Sequence, residues 1–251
     1  MKFSANLGFL WPELSLSAGI HAAATAGFDA VECHFPYDEN PAEVRRTLQQ
    51  TGMRMISLNT WPGDRDNGEF GLSAVPGAET RARSAIKQAI DYGAEIGAQN
   101  VHVMAGKNGN LEVFLANLNY AADLARRAGM GVLIEPINQT DAAGYFLENL
   151  PMAQDIVDRV GAPVKIMFDC YHIQIISGDL LRSFEAHQSS IGHVQFASVP
   201  DRTEPGTGEI DLIWLMQRLC AAGYGGYLGA EYIARGPTDD SLNWIKVFKE
   251  Q

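Results

Sequence analysis

Short β-like runs alternate with amphipathic helical runs along the whole chain, and no Ser/Pro/Gly-rich linker interrupts them. Strands joined by helices return to the same end of a sheet, so the pattern specifies a parallel sheet. The strand-like runs are KFSANL, DAVEC, RMISLN, NVHVMA, GVLIEP, VKIMFD, IGHVQF and YLGAEY. Helices are expected from Leu14 to Ala26, closed by Gly27, and from Pro41 to Gly52, with Asn40 as N-cap. Others are expected from Glu79 to Gly97, up to about Ala128, and near Asn149 to Val160, Gly178 to His187, Asp211 to Ala222 and Thr238 to Lys249. An open sheet has no reason to stop at eight strands, whereas a closed barrel does. The 251 residues, 46% of them hydrophobic, suit the core of one such barrel. The expectation is therefore an α/β chain forming a single-domain (β/α)8 TIM barrel over residues 1–251.

Charge narrows the partners. A formal net charge of −11, spread without blocks of like sign, argues against nucleic acid and against an anionic membrane surface. The first residues lack the apolar core and cleavage site of a signal peptide, and no apolar run is long enough to span a bilayer. Cys33, Cys170 and Cys220 have no CxxC spacing and read as reduced thiols, which points to a cytoplasmic protein. A homo-oligomer is an allowed assembly.

Four oxygen-bearing residues recur at strand ends. Glu135, Asp169, Gln195 and Glu231 are 34, 26 and 36 residues apart, each about one strand-plus-helix repeat, so all should meet at the carboxyl rim of the barrel. Pro136 biases Glu135 toward extended backbone at the barrel mouth. A carboxylate at the end of so apolar a strand is costly unless it is paired or bound to metal, and a structural ion pair is the alternative for either glutamate alone. Together the quartet makes an all-oxygen site of net charge −1, suited to Mg2+ or Mn2+; zinc is less favoured because no histidine falls clearly among the four.

Other candidates flank the quartet. His172 is placed to polarise a substrate oxygen or shuttle a proton, with an ordinary helix-start histidine as the alternative. Arg202, on the loop after Gln195, has the planar fork for a substrate carboxylate, and Lys107 in its Gly-flanked turn is a second cation. Gly206 and Gly208 are expected to supply positive φ angles in the Arg202 loop. The long loop WPGDRDNGEFGLSAVPG reads as a lid, Glu32, Asn6, Asn59 and Trp61 as pocket walls by position, and His102 and His193 as core residues. No GxGxxG, Walker or GxSxG motif is present.

The segments SANLGFLW, FPYDENP, WPGDRDNGEFGLSAVPG, VHVMAG, IEPIN, FDCYH, HVQFASVPDRTEPGTGEI and GAEY together resemble the hydroxypyruvate isomerase family, within the xylose isomerase-like metal-dependent barrels. The resemblance implies the same barrel and assigns the metal to Glu135, Asp169, Gln195 and Glu231. It implies that Glu135 and Glu231 transfer protons between hydroxypyruvate and tartronate semialdehyde through a cis-enediolate, in either order. Related ketose 3-epimerases share residues matching His172 and Arg202 but usually carry histidine at Gln195, and a sister group isomerises 2-oxo-tetronates. The chain departs from the family after Glu231, reading Tyr232-Ile233-Ala234 where a lysine and proline commonly follow the tyrosine. A non-catalytic small-acid binding protein is the alternative outside enzymes.

Overall fold

The computed structural model describes residues 1–249. Eight parallel strands close into a barrel in sequence order: β1 (Lys2–Asn6), β2 (Ala30–Cys33), β3 (Met55–Asn59), β4 (Asn100–His102), β5 (Gly131–Ile134), β6 (Val164–Asp169), β7 (Ile191–Phe196) and β8 (Tyr227–Ala230). The helices are α1 (Leu16–Ala26), α2 (Pro41–Thr51), α3 (Glu79–Ile96), α4 (Leu111–Ala128), α5 (Leu150–Val160), α6 (Cys170–Ile176), α7 (Leu180–His187), α8 (Leu212–Ala221) and α9 (Asn243–Lys249). The expected barrel is the fold found.

Local chemistry sets these boundaries. Ser15, Asn40, Asn110, Asn149 and Asp211 each accept a backbone N–H in the first turn of the helix they precede. Gly27, Gly52, Gly97 and Gly129 end four helices in the left-handed region. Two expectations change. The C-terminal helix is split, a 3-10 turn at Thr238–Ser241 preceding α9. A short helix not anticipated from the pattern, α6, starts directly from β6 because Asp169 both ends the strand and caps the helix through Tyr171 N at 2.9 Å.

Register carries the site. Asn6 pairs with Glu32, Asp169 with Gln195, and Gln195 with Gly229, so these positions lie at one level near the strand ends. Side chains alternate along a strand, which turns Ser4 and Asn6, or His193 and Gln195, to the same face. At the β8–β1 seam, Trp244 of α9 packs edge-on against Phe3, Phe28 and Phe196. The loop after β3 is anchored at its second half, where Ser73 and Ala74 donate to Met104 and Ala105 beyond β4, while the turn at Arg65–Asn67 stays exposed.

Candidate active site

The quartet gathers where the spacing places it, at the carboxyl end of the barrel, each member buried: Glu135 and Glu231 just past β5 and β8, Asp169 at the end of β6, and Gln195 in β7. A cavity of about 330 Å³ at this end is lined by Glu135 and Glu231 with His34, Asn59, His102, His172 and Arg202 among others, while Asp169 and Gln195 lie outside its lining.

Charge differs sharply among the carboxyls. Burial, then the neighbouring charges of Glu231 and Asp169, pushes the Glu135 pKa well above the usual carboxylate range. Among the described residues Glu135 Oε1 has no hydrogen-bond partner. Burial also lifts Asp169, to about 7, even though the Arg202 guanidinium pulls it down. At Glu231 burial again acts upward, but Arg202 and then His34 outweigh it and hold the group at about 2. Three donors meet that carboxylate: Asn6 Nδ2 at 2.8 Å, His34 Nε2 at 3.1 Å and Arg202 Nη2 at 2.7 Å.

Arg202 lies deeper than a surface arginine. Its Nη2 bridges Asp169 Oδ2 at 3.0 Å and Glu231 Oε2, and its guanidinium stacks between Phe9 and Tyr171, 5.1 and 4.8 Å from the ring centroids. In this structure the fork is occupied by the protein's own carboxylates. The residue itself takes φ 53°, whereas only one of the two expected glycines has a positive φ: Gly206 does, but Gly208 is needed for space, since a Cβ there would lie 2.2 Å from Val199 O.

Gln195 is held by a network the sequence left implicit. The Glu32 carboxylate, fully buried inside the barrel, accepts from Ser4 Oγ, Ser57 Oγ and Gln195 Nε2, and meets His193 Nε2 at 3.0 Å. It fits because position 229 is glycine: a Cβ there would come within 2.1 Å of Glu32 Oε1. With its nitrogen committed to Glu32, Gln195 keeps its amide oxygen free, and Oε1 has no partner. Glu32, expected as a pocket wall, and His193, expected as a core residue, are therefore partners of a candidate ligand.

His172 joins the group more closely than expected. Atoms of Glu135, Asp169 and His172 lie within 4.8 Å of one another, so a histidine does stand beside the proposed oxygens. Its Nδ1 faces two donors of Asn138, the backbone N at 3.4 Å and Nδ2 at 2.7 Å, and the Asn138 amide is oriented by Asp141. Neutral His172 thus keeps its proton on Nε2, facing Glu135 and Asp169, and burial, then Arg202, holds its pKa well below the usual value. A protonated nitrogen donates to a substrate oxygen; it does not ligate.

The remaining residues separate. Asn59 lines the cavity and Asn6 orients Glu231, while His102, expected in the core, lines it beside Glu135 with Nε2 unpartnered. Trp61 stands 40% exposed under Arg81, outside the cavity lining. Lys107 is also outside it, its backbone bridged to Tyr145. His34 and Arg65 line the cavity without having been singled out. His34 follows β2 as Glu135 follows β5, the one signal that points to it.

The donor set fits a hard divalent cation. Atoms of Glu135 and Asp169 lie within 4.8 Å of each other, burial raises both pKa values, and among the described residues Glu135 Oε1 and Gln195 Oε1 have no hydrogen-bond partner, a need for positive charge and coordination that a cation meets.

A sequence description of the xylose isomerase-like TIM barrel matches residues 20–248. The chain belongs to that family. A 2-oxo-tetronate isomerase of Cupriavidus necator is 40% identical over 98% of both chains, and a putative hydroxypyruvate isomerase of Homo sapiens is 39% identical over 99% of this chain and 95% of its own. A crystal structure from Brucella melitensis, named AP endonuclease, family 2, superposes with a TM-score of 0.94 at 37% identity, covering 98% of each chain. This xylose isomerase-like barrel is an isomerase. Among the described residues no helix is long and apolar enough to cross a membrane.

Proposed function

We propose that the protein is a divalent-metal-dependent isomerase that interconverts hydroxypyruvate and tartronate semialdehyde. The observation that carries the reading is two buried glutamates on one cavity with unlike partners: Glu231 meets Asn6, His34 and Arg202, whereas Glu135 Oε1 has no hydrogen-bond partner among the described residues. Two carboxyls in unlike surroundings at one cavity suit a pair of proton-transfer groups. Glu231 takes the proton from C3 of hydroxypyruvate, Glu135 delivers one to C2, and the hydroxyl proton passes from O3 to O2, so the composition is unchanged. The roles exchange in the reverse direction. His172 Nε2–H donates to the oxygen that gains negative charge in between.

Glu135, Asp169, Gln195 and Glu231 are the residues that would hold the metal, Mg2+ or Mn2+. Bound there, the metal supplies Lewis acidity toward the adjacent substrate oxygens. Glu32 contributes by fixing the Gln195 amide with its oxygen unpaired.

A 2-oxo-tetronate, one carbon longer, is the second reading, favoured by the 40% identity to the Cupriavidus enzyme. A nuclease needs a cationic groove, whereas this cavity is lined by Glu135, Glu231 and Asp141 in a chain of net charge −11. The test is proton exchange in D2O with product identification over hydroxypyruvate, 2-oxo-tetronates and ketoses, with chelator, Mg2+ or Mn2+. Deuterium entering hydroxypyruvate together with aldehyde formation, abolished by chelator, is the expected result. Exchange only with ketoses would make it a 3-epimerase, and binding without exchange would make it a small-acid binding protein.

A further inference from the structure

We infer that Arg65, at the tip of the loop between β3 and α3, binds the substrate's carboxylate and selects hydroxy-oxo acids over uncharged ketoses of the same size. The inference rests on the isomerase reading above and adds the residue that recognises the acid.

Two arginines line the cavity, Arg65 and Arg202. The charge of Arg202 is already committed to Asp169 and Glu231, and its faces are covered by Phe9 and Tyr171. A substrate carboxylate at Arg202 would have to displace one of those carboxylates. Arg65 carries no such commitment: among the described residues its side chain has no hydrogen bond or ion pair, and it is exposed at the cavity mouth. The other basic side chains lining the cavity are imidazoles that already face carboxyls: His34 meets Glu231, His102 stands beside Glu135, and His172 stands beside Glu135 and Asp169.

The remaining charge on the lining is negative. Asp141 carries it on the wall and Glu231 at the strand-end floor, beside the Glu135 carboxyl. An entering 2-oxo acid therefore meets a repulsive floor in a protein of net charge −11, and one uncommitted guanidinium. Arg65 sits on a 3-10 turn, Arg65–Asn67, whose start is fixed by Asp64 accepting from Asp66 and Asn67 and whose end is fixed by Gly68 in the left-handed region. The cation is thus presented on an ordered turn, and a planar fork is the group best matched to a carboxylate.

The experiment compares wild type, Arg65→Met and Arg65→Lys. For each we would measure kcat and KM with hydroxypyruvate, the Kd of tartronate by calorimetry, and inhibition by dihydroxyacetone, in which a hydroxymethyl group replaces the carboxylate. Arg65→Met should raise KM and the tartronate Kd together by about 10- to 100-fold, the loss of one charged hydrogen-bonding partner, with kcat within about twofold. Arg65→Lys should recover part of that loss, and dihydroxyacetone should bind all three alike. Unchanged KM and Kd in Arg65→Met would overturn the inference. So would an equal loss of dihydroxyacetone binding, which would make Arg65 a support of the loop. If wild type turned over no 2-oxo acid while tartronate binding still depended on Arg65, the isomerase reading would fail and the anion site would stand.

Discussion

At the scale of single residues, the site works by giving like groups unlike surroundings. Glu135 and Glu231 both follow a strand and both are buried, yet only Glu231 accepts from a guanidinium and an amide and has an imidazole at hydrogen-bonding distance, whereas the two imidazoles beside Glu135 stand 3.7 and 3.9 Å away. Glu231→Gln preserves shape and removes the base, so kcat with hydroxypyruvate should fall at least about 10²-fold with little change in folding; near-normal turnover would remove Glu231 from proton transfer. Asp169 offers a second test, free of turnover. Its pKa in the metal-free fold, about 7, lies above the ordinary 3.8, so the folded chain binds that proton more tightly than the unfolded one. Its contribution is complete below the ordinary value and is lost as pH rises toward the folded value. Asparagine mimics the protonated form and does not titrate. In metal-free protein the melting temperature of Asp169→Asn should therefore gain on wild type as pH rises from 4 to about 7, then level off. A difference that stayed flat, or ran the other way, would mean that Asp169 remains ionised beside Arg202.

At the scale of elements, α9 is the clearest case of a segment whose role is closure. Trp244 is 5% exposed, touches rings from β1, β7 and the loop before β2, and donates through Nε1 to Tyr232 Oη at 3.1 Å. Trp244→Ala should cost about 3–5 kcal/mol, a fall in melting temperature of about 6–20 °C for a chain of this size. The control is Trp214→Ala on α8, where the ring is 50% exposed and the change should be small. Equal effects in a thermal melt would deny α9 its closing role. The strands and most helices were legible in the sequence because each is an apolar run bounded by its own cap or glycine, and the quartet was legible because the repeat places successive strand ends on one rim. α6 was not, because its seven residues begin directly after the strand's last residue and leave too short a period to read. Arg65 lay among turn formers that look alike in one dimension. The partners of Arg202 and the protonation split are set by residues far apart in the chain, such as Asn6 on Glu231, and no local pattern encodes them.

At the scale of the whole molecule, the barrel concentrates negative charge where the chain is already acidic. Net charge is −11, and Asp169 and Glu231 share one arginine at the rim with the buried Glu135 carboxyl beside them, so the fold without metal crowds acidic groups at its functional end. A cation bound only by the folded barrel relieves that crowding and adds its binding free energy to stability. At about 100 times its Kd the gain is about 2.7 kcal/mol, or about 5–11 °C in melting temperature at this chain length. The measurement is a thermal melt of chelator-treated protein titrated with MnCl2 or MgCl2, against NaCl at matched ionic strength to remove general screening. Glu135→Gln, which removes one proposed ligand without changing its shape, should shrink the metal-induced rise, because the remaining donors bind the ion more weakly at the same concentration. A rise no larger than that in NaCl would leave Arg202 as the cation that Asp169 and Glu231 are built around, and the proposed enediolate chemistry would then have to proceed on protein groups alone.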